Sequence, residues 1–347
     1  MNDQPHSVTP VTLDWDALLA RALRDEAPTR EEALAILNLP DHETLRLVDV
    51  AWRVRRHFFQ ERVKVNVLLN AKSGLCAEDC HYCSQAKGAD TGINRYRVLD
   101  PSEMVENARR AADAGAQRFC IVLSGRGGTW PEVNTVAEAT RRIKSETNLE
   151  VCACMGLMLG EDGAEKARTL KAAGVDAYNH NVNTTEERYG EICTTHTYED
   201  RLETLRNVQA AGISSCSGVI LGMGESVQER VELAFALRDV QARSIPVNFL
   251  IPIDGTPLGD GLTTQELTPW ACLRALAMFR LVNPSAELRA SAGREVHLRS
   301  LQPLALMIAN SLFLGDYLTE SGQAANDDWR MLRDLGLQAA PIPVPAD

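Results

Sequence analysis

The chain has no run of about 18 apolar residues of the kind that crosses a membrane as a helix. Its first thirty residues mix Asp, Glu, Pro and Arg and lack the apolar segment of a secretion signal. Net positive charge is missing as well. With 36 Lys and Arg against 47 Asp and Glu, the formal charge is -11 at pH 7, so a nucleic-acid backbone is repelled on average. The densest basic cluster, Arg53, Arg55 and Arg56, reads as a solvated helix face. Neither an internal repeat nor a low-complexity linker divides the chain. The expectation is a cytoplasmic protein with one catalytic domain and with neither nucleic acid nor membrane among its partners.

What is present is an ordinary globular composition, 45% hydrophobic and 24% charged over 347 residues, enough to bury a sizeable core. Nine cysteines stand out. The cytosol keeps thiols reduced, so metal binding or catalysis explains them better than a disulfide framework. Residues 1–60 read as a helical extension: an amphipathic stretch over 14–24, a capping-box pair at Thr29 and Glu32, and a further helix from near Asp41. From residue 61 to 340, β-rich runs alternate with helical stretches, the pattern of βα units around a parallel sheet. The predicted strands are 63–69, 118–123, 149–155, 177–182, 216–221, 246–251, 287–291 and 311–314. Eight such units match a (β/α)8 TIM-type barrel, whose catalytic residues sit at the C-terminal ends of the strands; a doubly wound sheet is the alternative. The tail from Pro341 is Pro-rich and predicted to fray.

After the first predicted strand comes Gly74-Leu-Cys76-Ala-Glu-Asp-Cys80-His-Tyr-Cys83-Ser-Gln85, with cysteines spaced x3 and x2. Three thiolates on so short a loop can converge on one centre, and soft sulfur suits an iron–sulfur cluster, zinc or copper(I). Structural zinc is closed by four ligands, usually as two separated pairs, and no second pair follows; His81 is an awkward fourth donor because it lies inside the same loop. A 4Fe-4S cluster held by three thiolates leaves one iron without a protein ligand, which marks a catalytic site.

Cys-x3-Cys-x2-Cys with aromatic Tyr82 before the last Cys resembles the radical S-adenosylmethionine superfamily. Within it, NAKSGLCAEDCHYCSQ, RFC at 118, YNHN at 178, CSGVILGMGE at 216 and LRASAGRE at 288 resemble the biotin synthase family, from about residue 63 to 337. The resemblance implies a (β/α)8 barrel in which Cys76, Cys80 and Cys83 hold a 4Fe-4S cluster that reductively cleaves S-adenosylmethionine. It implies that dethiobiotin, a sulfur donor and two S-adenosylmethionine molecules give biotin, methionine and 5'-deoxyadenosine. Composition does not select Cys120, Cys152 and Cys216 over Cys154, Cys193 and Cys272; the resemblance does, and with Arg289 they would hold a 2Fe-2S cluster.

Side chains on a strand alternate, so Asn179 and Asn181 share one face, and paired amides suit a planar urea or a ribose. The resemblance implies that Asn179, Asn181 and Asn248 bind dethiobiotin, with Asn181 also touching S-adenosylmethionine. It further implies that Tyr82, Asn183 and Arg201 bind S-adenosylmethionine, Arg201 through the methionyl carboxylate. Some relatives carry Asp where Asn183 stands. Implied partners are an external electron donor, iron–sulfur assembly proteins and a second copy of the chain as a homodimer. Gly222 and Gly224 form no dinucleotide fingerprint, because Val227 occupies the third glycine position. The alternative reading is another radical enzyme on the same barrel, one that rearranges amino acids or assembles metal cofactors.

Overall fold

The computed structural model describes residues 12–74, 76–259 and 267–341. Of the tail predicted to fray, all but Pro341 therefore lies outside the described residues. Three helices come first: α1 (Trp15–Ala22), α2 (Arg30–Leu37) and α3 (Thr44–Phe59), the last entered through a short 3-10 turn at Asp41–Glu43. Asp14 caps α1, and the Thr29/Glu32 capping box forms as its spacing predicts.

Parallel strands then alternate with helices: β1 (Arg62–Lys72), α4 (Pro101–Asp113), β2 (Arg118–Leu123), α5 (Trp130–Glu146), β3 (Glu150–Cys154), α6 (Gly160–Ala172) and β4 (Ala177–Asn179). The order continues with α7 (Glu186–Ile192), α8 (Tyr198–Ala210), β5 (Ser214–Cys216), β6 (Val219–Leu221), α9 (Val227–Asp239), β7 (Ser244–Phe249) and α10 (Pro269–Val282). It ends with β8 (Glu287–Ala290), α11 (Arg294–Leu298), α12 (Gln302–Ile308), β9 (Ser311–Phe313), α13 (Ala325–Asp334) and β10 (Gln338–Ala339). Strand β1 pairs with both β2 and β9, which closes the sheet into a barrel and rules out an open doubly wound sheet. The short β10 adds to the start of β1 outside the barrel.

All eight predicted strands are present, with two differences. The stave expected over 216–221 is split into β5 and β6 at Ser217-Gly218. A Cβ on Gly218 would lie 1.9 Å from the Pro246 carbonyl oxygen, so only glycine lets the backbone cross β7 so closely. The stave expected over 177–182 ends at Asn179, because the chain turns into the left-handed region at Asn183 (φ 66°).

The N-terminal helices share one apolar core with the barrel's outer layer: Leu18, Ile36, Leu47 and Val54 join Leu273, Leu276 and Ile308. Helix α3 packs on α10 and α12. The reading of Arg53, Arg55 and Arg56 as one solvated face is corrected here, since Arg55 is fully buried while the other two are exposed. Arg55 donates to the carbonyls of Arg62 (2.8 Å), Ala309 (3.4 Å) and Gln60, at the N-terminal ends of β1 and β9. Nearby Arg280 is likewise buried, donating to the carbonyls of Ile308, Pro284 and Ala286. Burial outweighs the pull of Glu61 and pushes Arg55 down to about 10, and burial with the charge of Arg55 outweighs Asp25 and pushes Arg280 down to about 9. Two guanidiniums thus satisfy carbonyls that the barrel floor would otherwise bury unpaired.

Candidate active site

At the opposite, C-terminal end of the staves lies a cavity of about 260 Å³. The segment between β1 and α4 arches over it and carries the three-cysteine motif. Its position is fixed by the neighbours it crosses. Ser73 and Tyr96 exchange backbone hydrogen bonds at its base, the His81 N–H donates to Ile192 O (3.0 Å), the Leu258 N–H donates to His81 O (3.1 Å), and the Asp90 N–H reaches Gly255 O (2.9 Å). Asp79 adds a clamp, accepting from the backbone of Thr194 (2.9 Å) and Thr195 (3.2 Å) beyond α7. Cys83 lines the cavity beside Tyr82, and burial pushes its thiol up to about 11. Cys80 is buried 3.8 Å from Cys193 Sγ; their hydrogen bond raises Cys80, with burial adding to it, and lowers Cys193 against the effect of burial. Burial also raises Cys76. Among the described residues, the group whose donor atoms all lie within 4.8 Å is Cys80, Cys193 and His196. His81 is not part of it.

Inside the barrel, register decides which cysteines meet. Cys120 is the cross-strand partner of Cys152, and Cys216 that of Asn179. The Cys152 thiol meets those of both Cys120 and Cys216: the Cys120 contact and burial hold Cys152 well above the ordinary thiol value although the Cys216 contact lowers it, and the Cys152 contact with burial raises Cys216. Arg289, on β8, is nearly fully buried and reaches the same cavity. Its Nη2 donates to Glu287 (2.6 Å), Ser244 Oγ (3.1 Å) and Asn66 Oδ1 (3.2 Å), its Nε donates to Ser311 Oγ (3.0 Å), and it stacks on Phe313. Below it, Lys64 and Arg118 bridge Glu150 and Glu287, Lys64 at 2.8 and 3.3 Å and Arg118 at 2.8 and 3.2 Å. Three cations against two carboxylates leave this layer net positive beneath the thiols.

The amides also converge. Asn179 Nδ2 donates to Asn181 Oδ1 (3.0 Å) and to Cys216 Sγ (3.3 Å), while Asn181 Oδ1 also accepts from the Gly218 N–H (3.0 Å). The pair stays together although β4 ends between them. Asn248 lies within β7, donating to Val219 O (2.9 Å) and accepting from the Ala292 N–H (3.3 Å), with its side chain on the cavity. Asn183 Nδ2 donates to the Tyr82 hydroxyl at 2.6 Å, joining the loop to the turn after β4. Arg201 is buried on α8: Nη1 donates to Asn181 O (2.7 Å), Nη2 to His196 Nε2 (2.8 Å) and Nε to the Tyr189 hydroxyl. Tyr82, Cys83, Cys120, Cys152, Asn179, Asn181, Asn248 and Arg289 thus line one cavity, whereas Cys76, Cys80, Asn183, Arg201 and Cys216 are not among its lining residues.

Residues 72–237 match the Radical SAM superfamily, and residues 246–338 match the Biotin and Thiamin Synthesis associated domain. The chain is 52% identical over 322 residues to biotin synthase 2 of Frankia casuarinae, covering 92% of this chain and 88% of that one. It is 48% identical over 326 residues to biotin synthase of Bacillus cytotoxicus, covering 94% and 96%. The chain belongs to the biotin synthase family. It is a radical S-adenosylmethionine enzyme on a (β/α)8 barrel, and membership in the biotin synthase family brings S-adenosylmethionine and iron–sulfur chemistry with it. Solved structures add the fold alone: methylornithine synthase superposes with a TM-score of 0.79 at 19% identity over 93% of this chain and 97% of that one. An FeFe-hydrogenase maturase from Carboxydothermus hydrogenoformans gives 0.76 at 16% identity, over 93% and 78%. Those enzymes are of the kind set out as the alternative, so the barrel does not separate the two readings, whereas relatives near 50% identity do.

The donor set fits the clusters of the biotin synthase family. Soft thiols stand in two sets, three on the loop and three on staves, and Cys83 of the first and Cys120 and Cys152 of the second line the same cavity. Sequence reasoning left Cys154, Cys193 and Cys272 without roles. Cys154 lies two residues beyond Cys152 on the same face and lines the cavity higher up. Cys272 is packed in α10 among apolar side chains, and Cys193 sits against Cys80. The residues missed altogether are Glu78 and His196, which the chain brings to Cys193 through the turn after α7. His180 is buried, and burial pushes it well below the ordinary imidazole value.

Proposed function

We propose that this chain makes biotin by inserting sulfur into dethiobiotin, with Cys76, Cys80 and Cys83 holding a 4Fe-4S cluster and Cys120, Cys152, Cys216 and Arg289 holding a 2Fe-2S cluster. The observation that carries this reading is the shared cavity. Cys83 and Tyr82 line one side, Cys120, Cys152 and Arg289 the floor, and Asn179, Asn181 and Asn248 the wall between. When bound, the two clusters supply the electron that cleaves S-adenosylmethionine and the sulfur that enters the product.

The chain's own residues do the rest. Asn179, Asn181 and Asn248 offer amide donors and acceptors to the ureido ring, holding the target C–H bonds over the floor. Arg201 pairs with the methionyl carboxylate, and Tyr82 and Asn183 fix the nucleoside side. Leu68, Ile220, Phe249 and Phe313 keep water from the radical. Glu287 and Ser311 hold Arg289 toward the thiols of β2, β3 and β5. Reduction and rebuilding of the clusters call for an external electron donor and iron–sulfur assembly proteins.

The test is an anaerobic single turnover of reconstituted protein with reductant, S-adenosylmethionine and dethiobiotin, read by mass spectrometry. Biotin and 5'-deoxyadenosine together are expected. 5'-Deoxyadenosine without biotin would remove the substrate or the second-cluster assignment, and neither product from fully loaded protein would overturn the reading.

A further inference from the structure

Nothing above gives His196 a role, yet it stands between the cysteine loop and Arg201. The ring is buried, and its Nε2 lies 2.8 Å from Arg201 Nη2. A guanidinium only donates, so Nε2 is the acceptor and the proton of the neutral ring sits on Nδ1. That nitrogen meets the carboxylate of Glu78 in a close contact and lies 3.2 Å from Cys193 Sγ. Glu78 lies within the motif between Cys76 and Cys80, and Thr195 Oγ1 donates to it at 2.7 Å. A chain of hydrogen bonds thus runs from the cysteine loop through Glu78 and His196 to Arg201.

The other partners of Arg201 show what this contact adds. Nε is held by the Tyr189 hydroxyl and Nη1 by the Asn181 carbonyl, so His196 is the third support of a planar fork. Tyr189 and Asn181 fix Arg201 to α7 and to the turn after β4. Among the described residues, the His196 hydrogen bond is the one that ties the guanidinium, through Glu78, to the loop that carries the motif cysteines. We propose that His196 is a positioning residue for S-adenosylmethionine: it holds the Arg201 guanidinium in register with the cysteine loop so that carboxylate and sulfonium are presented together. The inference rests on Arg201 as the carboxylate-binding residue.

Full-length wild type, His196→Phe, His196→Gln and Arg201→Leu would each be reconstituted and assayed for iron and sulfide. S-adenosylmethionine would then be titrated against the electron paramagnetic resonance spectrum of the reduced cluster. His196→Phe keeps the ring volume and the edge contact with Tyr189 but loses both nitrogens. It should weaken S-adenosylmethionine binding about tenfold, the scale of losing a residue that orients a ligand-binding group. The KM for S-adenosylmethionine should rise with it, while kcat and the KM for dethiobiotin stay within about twofold. Gln carries both an acceptor and a donor, so His196→Gln should recover most of the affinity. If the phenyl ring prevents cluster loading, His196→Ala takes its place in the same titration.

Wild-type affinity in a fully loaded His196→Phe protein, with Arg201→Leu weakened, would overturn the positioning role alone. Unchanged affinity in Arg201→Leu would overturn the carboxylate assignment and the inference with it. Failure of Gln to do better than Phe would also overturn it.

Discussion

Cys76, Cys80 and Cys83 share one loop, whereas Cys120, Cys152 and Cys216 come from three separate staves, and the two sets are held by different physics. The loop has no regular structure of its own at the motif. Its geometry is borrowed from hydrogen bonds to α7, to the turn beyond it and to the segment after β7. The staves place their thiols by strand register, which is rigid because a slip of one residue would turn every side chain to the other face. Under the proposed assignment, the cluster that meets S-adenosylmethionine sits on the borrowed support and the sulfur-donating cluster on the one set by register.

Removing one thiol from each set is the strongest way to break that comparison. Cys80→Ala should reduce S-adenosylmethionine cleavage to background, measured as 5'-deoxyadenosine per protein. Cys193 lies 3.8 Å away, so any residual cluster that disappears in Cys80→Ala/Cys193→Ala belongs to the neighbouring thiol. Cys152→Ala should behave differently, keeping the visible spectrum of the loop cluster and its cleavage of S-adenosylmethionine while biotin falls to background. Biotin at the wild-type rate from that variant would remove the stave thiols from the chemistry.

The supports differ in charge as well. Glu287 accepts from Arg289, Arg118 and Ser311 and faces Lys64. Burial pushes its pKa up, but Arg118, Lys64 and Arg289 outweigh burial and hold it well below the ordinary carboxylate value. Glu287→Gln leaves Lys64 and Arg118 with Glu150 and takes the carboxylate from Arg289, and should destabilise cluster-free protein by about 3 kcal/mol in urea unfolding. Because the folded value is depressed, this contribution is fully present above the unfolded carboxyl pKa of about 4.3 and is lost as the pH falls below it. Wild type and Glu287→Gln should therefore converge in stability as the solution is acidified.

Legibility in the sequence followed the same division. The loop triad could be read from spacing alone, since its chemistry is contiguous. The eight staves could be read from the alternation of β-rich and helical stretches, and β5 and β6 divide where Gly218 crosses Pro246, a contact that no local pattern encodes. The stave thiols needed the family resemblance, because one buried cysteine on a strand looks like another until register pairs Cys120 with Cys152. Arg55 was misread because three arginines in four residues look like a polar face, whereas the helix turns one of them onto the barrel floor. His196 and Glu78 left no signal, since they meet only where two loops cross.

The smallest expected effect concerns Asn183, the turn residue that ties the loop to the stave end. Its Nδ2 donates to the Tyr82 hydroxyl at 2.6 Å, in a site where Asn183 is 3% exposed. Asn183→Asp keeps the contact with its direction reversed, the tyrosine now donating to a carboxylate. A charged acceptor strengthens the bond, while burial opposes the charge. The two terms differ by about 1 kcal/mol, so S-adenosylmethionine affinity should change by no more than about fivefold, and the left-handed turn should survive because Asp tolerates it nearly as well as Asn. A loss of a hundredfold in the same titration would show that the amide donor itself, and not the joint between loop and stave, is what S-adenosylmethionine requires at this position.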